Sequence, residues 1–280
     1  MMKKIYLDTN AISQAQKRWT GKDFQSLLDS KGFQPSVGYH VIYEGAKNFL
    51  SDDSTEIGKQ FFWFLGQLAN PHYVPENKNL IKDELLKART GALVLYVMPE
   101  FNRIETKQEI LRLAHGYKDL AEQHIRNNES KVRMDRISLP KVIMQRYDEF
   151  IQIHPDKRKG VKTFTGYKNT MIDLQATLRD CLRTIGSRGV PDGDLRTILN
   201  EPDEFPVIHT WLNCQIYLNY IPVKHRVPPS RSRLDDFCHV IACCASNLFV
   251  SHDERLLAIF SHLNPFRQYK SWTDFEASLG

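Results

Sequence analysis

The sequence predicts an α/β protein whose central parallel sheet is drawn from both ends of the chain and interrupted by a mostly helical insertion. Three observations predict it. Short apolar runs bounded by polar turns alternate with helix-period stretches near each terminus, the pattern of parallel strands joined by helices. The middle, from about 91 to 215, is mostly helical in pattern. The composition, 41% hydrophobic and 25% charged over 280 residues, excludes a disordered or low-complexity chain and can bury a substantial core.

Residues 3–7 read as a short buried strand that meets a polar turn, Asp8-Thr9-Asn10, at once. A carboxylate so early also argues against a secretory leader, whose apolar region runs to roughly 7–15 residues. Residues 33–37 read as a second strand, and His40 to Leu50 follow with Ile42, Ala46, Phe49 and Leu50 at helical spacing. Residues 56–69 form another apolar-rich helix. His72-Tyr73-Val74 and the helical pattern over 79–89 give a third strand and its helix. Gly and Pro interrupt the middle near 154–166 and 186–206, and Pro222, Pro228 and Pro229 punctuate a connector over 222–230. Ser232 to Leu248 reads as one helix, Leu248 to Ser251 as a strand ending at His252-Asp253, and Arg255 to Leu263 as a helix. Gln268 to Trp272 reads as an edge strand and Asp274 to Leu279 as a closing turn of helix. The division is an α/β core in 1–90 and 216–280 and a basic helical insertion in 91–215. No apolar run approaches the roughly 18 residues of a membrane span.

The formal net charge is +5, and it is unevenly spread. Between Arg126 and Arg188, 14 Lys plus Arg stand against 7 Asp plus Glu, so this segment carries +7 and the rest of the chain −2. Such a segment is either a solvated face or a phosphate-binding surface. Lys157, Arg158, Lys159 and Lys162 are its candidates for nucleic-acid contact. Tyr147, Phe150, Phe164 and Tyr167 interleave with the basic residues, in positions suited to base stacking or to core packing. The five cysteines, Cys181, Cys214, Cys238, Cys243 and Cys244, show no CxxC spacing and read as free core thiols of a reducing cytoplasm.

Asp8 and Asp253 each follow a strand. In an open parallel sheet ligands bind beyond the carboxyl ends of the strands, so two such carboxylates can converge in one crevice; either can also simply cap the next helix. Glu44 lies beside the apolar stripe of the helix after the second strand. Asp235 and Asp236 open the apolar C-terminal helix. Ser232 and Asp235 have the spacing of a capping box, which gives Asp235 a local structural task and leaves Asp236 as the functional acid. Four acids around one crevice require a cation, and Mg²⁺ or Mn²⁺ suits oxygen ligands and phosphate substrates. Such an ion supports in-line phosphoryl displacement, the chemistry of a nuclease. His239, one turn from Asp236, reads as a core histidine or as an orienting partner of the metal site. Arg231 and Arg233 stand close enough to the same helix to meet a substrate phosphate. No GxxxxGK[ST], GxGxxG or GxSxG motif is present.

Lys4-Ile5-Tyr6-Leu7-Asp8-Thr9-Asn10 resembles the opening strand and "DTN" motif of PIN-domain nucleases. Asp236-Phe237-Cys238-His239, then Ala242, then Phe249-Val250-Ser251-His252-Asp253, is similar to that family's C-terminal motif. The resemblance covers roughly 1–50 and 231–275. It implies a Rossmann-like three-layer α/β/α sandwich and a metal-dependent phosphodiesterase that acts most often on RNA. Carried over by position, it makes Asp8, Glu44, Asp236 and Asp253 the acidic site, with Asp8, Asp236 and Asp253 on the metal. Asn10, Ser251, His239 and Asp235 become its supports. On family grounds a protein inhibitor belongs among the partners, and a homo-oligomer is compatible. The alternative on the same fold is a non-catalytic nucleic-acid-binding or protein-interaction module. A phosphatase with Asp8 as nucleophile would want a second aspartate where Asn10 stands.

Overall fold

The computed structural model describes residues 2–132 and 139–280, and their side chains except those of 128–132, 139–141 and 231. Five strands, β1 (Lys3–Leu7), β2 (Phe33–Gly38), β3 (His72–Val74), β4 (Leu248–Ser251) and β5 (Gln268–Ser271), form one sheet in the order β3-β2-β1-β4-β5. Every pair is parallel, with Tyr6 of β1 opposite Ser36 on one side and Phe249 on the other. Successive residues of a strand face opposite sides of a sheet. Ile5 and Tyr6 are both fully buried, as are Phe249 and Val250, so helices cover both faces, an arrangement compatible with a three-layer sandwich.

Parallel neighbours need crossovers, and helices supply them. Between β1 and β2 run α1 (Thr9–Ala15) and α2 (Gly21–Ser30); between β2 and β3 run α3 (Tyr39–Ala46) and α4 (Asp52–Gly66). The polar turn expected at Asp8-Thr9-Asn10 is thus the start of a helix: Asp8 has extended backbone and its side chain accepts from Ala11 N–H, as an N-cap does. The long crossover from β3 to β4 comprises α5 (Asn77–Thr90), α6 (Glu100–Ala114), α7 (Lys118–Val132), α8 (Leu139–Ile153), α9 (Phe164–Met171), α10 (Leu174–Thr184), α11 (Asp192–Asn200), α12 (Pro206–His225) and α13 (Arg231–Ala242). α14 (Glu254–Leu263) joins β4 to β5, and α15 (Trp272–Ala277) follows.

The helix expected over 56–69 spans Asp52–Gly66, that expected from His40 to Leu50 ends at Ala46 in a 3₁₀ turn, and two further expected boundaries move near the site. The helix expected over 232–248 ends at Ala242 and tightens into a 3₁₀ turn, Cys243–Ala245, because Ser246 must turn extended to enter β4. The connector expected from 222 is still helix: α12 carries Pro222 in its last turn and stops at Arg226, which adopts φ 58°. Proline forfeits one helical hydrogen bond, but Pro222 and Val223 are buried, and that packing holds the turn. α12 therefore runs straight through residue 216, and it packs on α8 and α10 as well as on α13 and α14.

Glu84 of α5 holds this helix to the core. It is fully buried and accepts N–H bonds from Val207 and Ile208, at 2.9 and 2.8 Å, at the start of α12, and the Tyr96 hydroxyl also donates to it. Burial pushes its carboxyl up to about 7, although those three donors oppose the shift. Among the described residues no helix is long and apolar enough to cross a membrane.

Candidate functional site

The chain leaves β1 toward β2 and β3 on one side of the sheet and returns only later to build β4 and β5 on the other. The crossovers after β1 and β4 therefore diverge, which opens a crevice at their carboxyl ends. Asp8 directly follows β1, and Asp253 lies two residues beyond β4. Ser251, the fully buried last residue of β4, joins them: its hydroxyl donates to Asp8 Oδ2 and accepts Asp253 N–H at 2.9 Å. Both aspartates are also helix caps. Asp8 Oδ1 accepts from Ala11 N–H at 2.7 Å, and Asp253 Oδ1 accepts from Arg255 and Leu256 N–H at 2.8 and 3.0 Å. Asp8 is only 3% exposed, and burial pushes its carboxyl up against the opposing charge of His239.

α3 and α13 bring a second set of groups to Asp8. Glu44 of α3 accepts from the Thr9 hydroxyl, and its Oε2 stands 2.8 Å from His239 Nε2. His239 Nδ1 meets the hydroxyl of Tyr6, at 3.0 Å, from the middle of β1. Gly38 permits that approach: a Cβ there would lie 2.5 Å from the Tyr6 oxygen. Burial alone would raise the Glu44 carboxyl, but the charge and hydrogen bond of His239, with His40 and Thr9, hold it well below the usual range. Burial would lower His239, but Glu44 first, then Asp8 and Asp236, raise it. His40 is one turn before Glu44, and burial, then the charge of His239, drives it down to about 3.

Asp236 of α13 shares this field. Burial pushes its carboxyl up to about 6; Arg233, whose Nη1 lies 3.6 Å from Asp236 Oδ2, opposes the shift, and the charges of Asp253 and Glu44 add to it. Glu44 thus acts on Asp8 and on Asp236, and Asp253 acts on Asp236, but among the described residues Asp8, Asp236 and Asp253 do not draw their oxygens together closely enough to form an ion-sharing group. Asp235 departs from expectation. The cap of α13 is Ser230, which accepts from Arg233 N–H, so the helix starts two residues earlier than a Ser232 cap requires and Asp235 falls in its second turn. Its partners are tertiary: Lys47 Nζ at 2.8 Å and His40 Nε2 at 3.6 Å.

Asn10 is exposed in the first turn of α1. Lys157, Arg158, Lys159 and Lys162 sit exposed on or between two 3₁₀ turns, Pro155–Arg158 and Gly160–Lys162. The Lys162 carbonyl accepts from Tyr220 of α12, and rings of Phe164, Tyr217 and Phe237 step from this segment to α13 with centroids 5.1 and 6.0 Å apart. The Arg231 side chain is outside the described residues. Cys243 and Cys244 are buried with Cys214, and all five thiols are free. Thr9, Tyr6, Lys47 and His40 were not singled out from the sequence; of these, His40 had a readable signal, its i,i+4 spacing from Glu44 on one helix face. Among the described residues, the group whose ligand atoms draw together closely enough to share an ion is His40, Glu44 and His239.

No protein-family model, curated protein or solved structure matches this chain. The chemistry of the crevice therefore rests on its own geometry.

Proposed function

We propose that this protein is a metal-dependent nuclease, an endoribonuclease of the cytoplasm, on a Rossmann-like three-layer sandwich of the PIN type that its motifs resemble. One observation carries the reading: Asp8 and Asp253 stand at the carboxyl ends of adjacent parallel strands at the switch point, tied through Ser251, with Asp236 and Glu44 in the same field. Carboxylate oxygens are the donor type that a hard divalent cation takes, although the three aspartates would have to draw closer to share one. Burial first, and then the charges of Asp253 and Glu44, raise Asp236, whereas Asp8 is raised by burial against the charge of His239, so a cation would favour the ionised form of both. Asp8, Asp236 and Asp253 would hold Mg²⁺ or Mn²⁺, which supplies an activated water and a clamp on the phosphodiester. Ser251 fixes the Asp8 carboxylate, and Glu44, steadied by Thr9 and His239, orients the attacking water. Arg233 meets a non-bridging phosphate oxygen. The exposed lysines and arginine of 157–162 hold the flanking backbone of the RNA.

The test is cleavage of labelled single-stranded RNA and DNA with Mn²⁺, with Mg²⁺ and with EDTA, for the wild type and Asp8→Asn. Asparagine caps a helix as well as aspartate does, so the fold survives. Metal-dependent cutting of RNA is expected, and the variant should lose more than the roughly 10–100-fold that removing an outer-shell partner costs. Equal cutting by both proteins would sink the assignment of Asp8. One feature favours a second reading: Asp8 is nearly buried with both oxygens engaged, as in a purely structural cap. Salt-sensitive RNA binding without metal-dependent cutting would establish that alternative, a binding module.

A further inference from the structure

His40 is a buried group that the proposed nuclease chemistry does not use. Its side chain is 11% exposed, and its Nε2 is shielded from solvent with no hydrogen-bond partner among the described residues. Two carboxylates face that nitrogen beyond hydrogen-bonding reach, Asp235 Oδ1 at 3.6 Å and Glu44 Oε1 at 3.9 Å. An orphaned imidazole nitrogen in such a place is costly without a partner, which an ion or a water between it and the carboxylates would supply. From the opposite helix His239 Nε2 approaches Glu44, and the ligand atoms of the three residues lie within 4.8 Å of one another.

We propose that His40, Glu44 and His239 form a binding site for a first-row transition ion, best matched by Zn²⁺, with the two Nε2 atoms and the Glu44 carboxylate as ligands. Imidazole donors select such ions, whereas Mg²⁺ takes oxygen ligands and keeps its waters. Two histidines and a glutamate are three protein ligands, the number that leaves a tetrahedral ion one position for water or a substrate oxygen. With metal–ligand bonds of about 2.0–2.1 Å, such ligands stand roughly 3.3 Å apart, so this set has only to draw in slightly. The supports are already present. His40 and Glu44 project from one face of α3 by their i,i+4 spacing. The Tyr6 hydroxyl holds the far nitrogen of His239 at 3.0 Å, as the outer partner of a metal-binding histidine does. Lys47 keeps the Asp235 carboxylate beside His40. The ion would replace the proton shared by His239 and Glu44. The site shares Glu44 with the proposed nuclease centre but does not depend on cleavage.

The experiment uses the full chain stripped of metal, titrated with Co²⁺ and followed by visible absorption, with Zn²⁺ and Mg²⁺ as competitors. One Co²⁺ is expected to bind with the absorption of a nitrogen-ligated ion, displaced by Zn²⁺ and not by excess Mg²⁺. His40→Gln should weaken it by about tenfold or more while keeping its unfolding curve, and His40→Ala should do the same. Asp253→Asn, at the acids of the proposed nuclease centre, should keep the visible absorption of the nitrogen-ligated Co²⁺. Absence of the absorption, or wild-type Co²⁺ affinity in both folded His40 variants, overturns the site. Loss of Co²⁺ in Asp253→Asn with retention in His40→Gln overturns it too, by assigning the ion to the acids. A protein that binds Co²⁺ through His40 yet cuts no RNA would end the nuclease reading and leave this one standing.

Discussion

An aspartate that leaves a strand and opens a helix is a cap before it is anything else, and both Asp8 and Asp253 accept helix N–H bonds. What separates them from ordinary caps is shared company, because Ser251 binds one and receives the backbone of the other. That much was legible from position after a strand. The imidazoles were not, since the bond between Glu44 and His239 spans 195 residues and no local pattern announces it. A second histidine offers a test of local electrostatics. His72 of β3 accepts from Lys4 Nζ at 3.1 Å and lies 3.2 Å from the Ser36 hydroxyl; burial, then the Lys4 charge, pushes it down to about 4. The folded state therefore holds His72 neutral where the unfolded chain would protonate it. Its contribution is complete above pH 6.5 and is lost as pH falls toward 4. Between pH 7 and 5 the wild type should lose about 2 kcal/mol more than His72→Gln in urea unfolding. Equal losses would show that His72 is not the acid-sensitive group.

At the scale of elements, all five strands were readable, β1 and β4 as mainly apolar runs that lead to a polar residue, and β2, β3 and β5, of mixed composition, from the helical stretches beside them. Helix ends were less so. The polar turn after β1 hid a helix, since a cap and a turn use the same residues. α12 passed through a proline that sequence reading treats as a break, and it persists because burial outweighs one missing bond. Its other end depends on Glu84, a residue with no local mark, 123 positions before the N–H of Val207 that it accepts. Glu84→Ala leaves two buried N–H groups without an acceptor and should cost about 1–3 kcal/mol at pH 6. Glu84→Gln should recover most of that, because its amide oxygen still accepts. Denaturant unfolding of both variants checks the ranking, and an equal loss would mean that packing alone holds α12.

For the whole molecule, the separation of charge was visible in composition, but the position of the basic segment relative to the crevice was not, because it depends on how α12 joins the insertion to α13 and α14. If the 157–162 segment holds RNA backbone, replacing Lys157, Arg158, Lys159 and Lys162 by alanine should flatten the salt dependence of single-strand binding by up to about 3 in slope, from about 0.7 per contact. An unchanged slope would remove this segment from the RNA path. The sheet order has a further consequence, in time. β1 is flanked by β2 and β4, and the Leu7–Val250 pairing can close only after the 242 residues between them have been made. At about 5–20 residues per second, a ribosome needs on the order of ten to fifty seconds to extend the chain from Asp8 to Asp253. Until that interval ends Asp8 lacks Asp253, and for most of it Asp236 and Ser251 as well, so the nascent polypeptide carries no complete set of the four acids over that time.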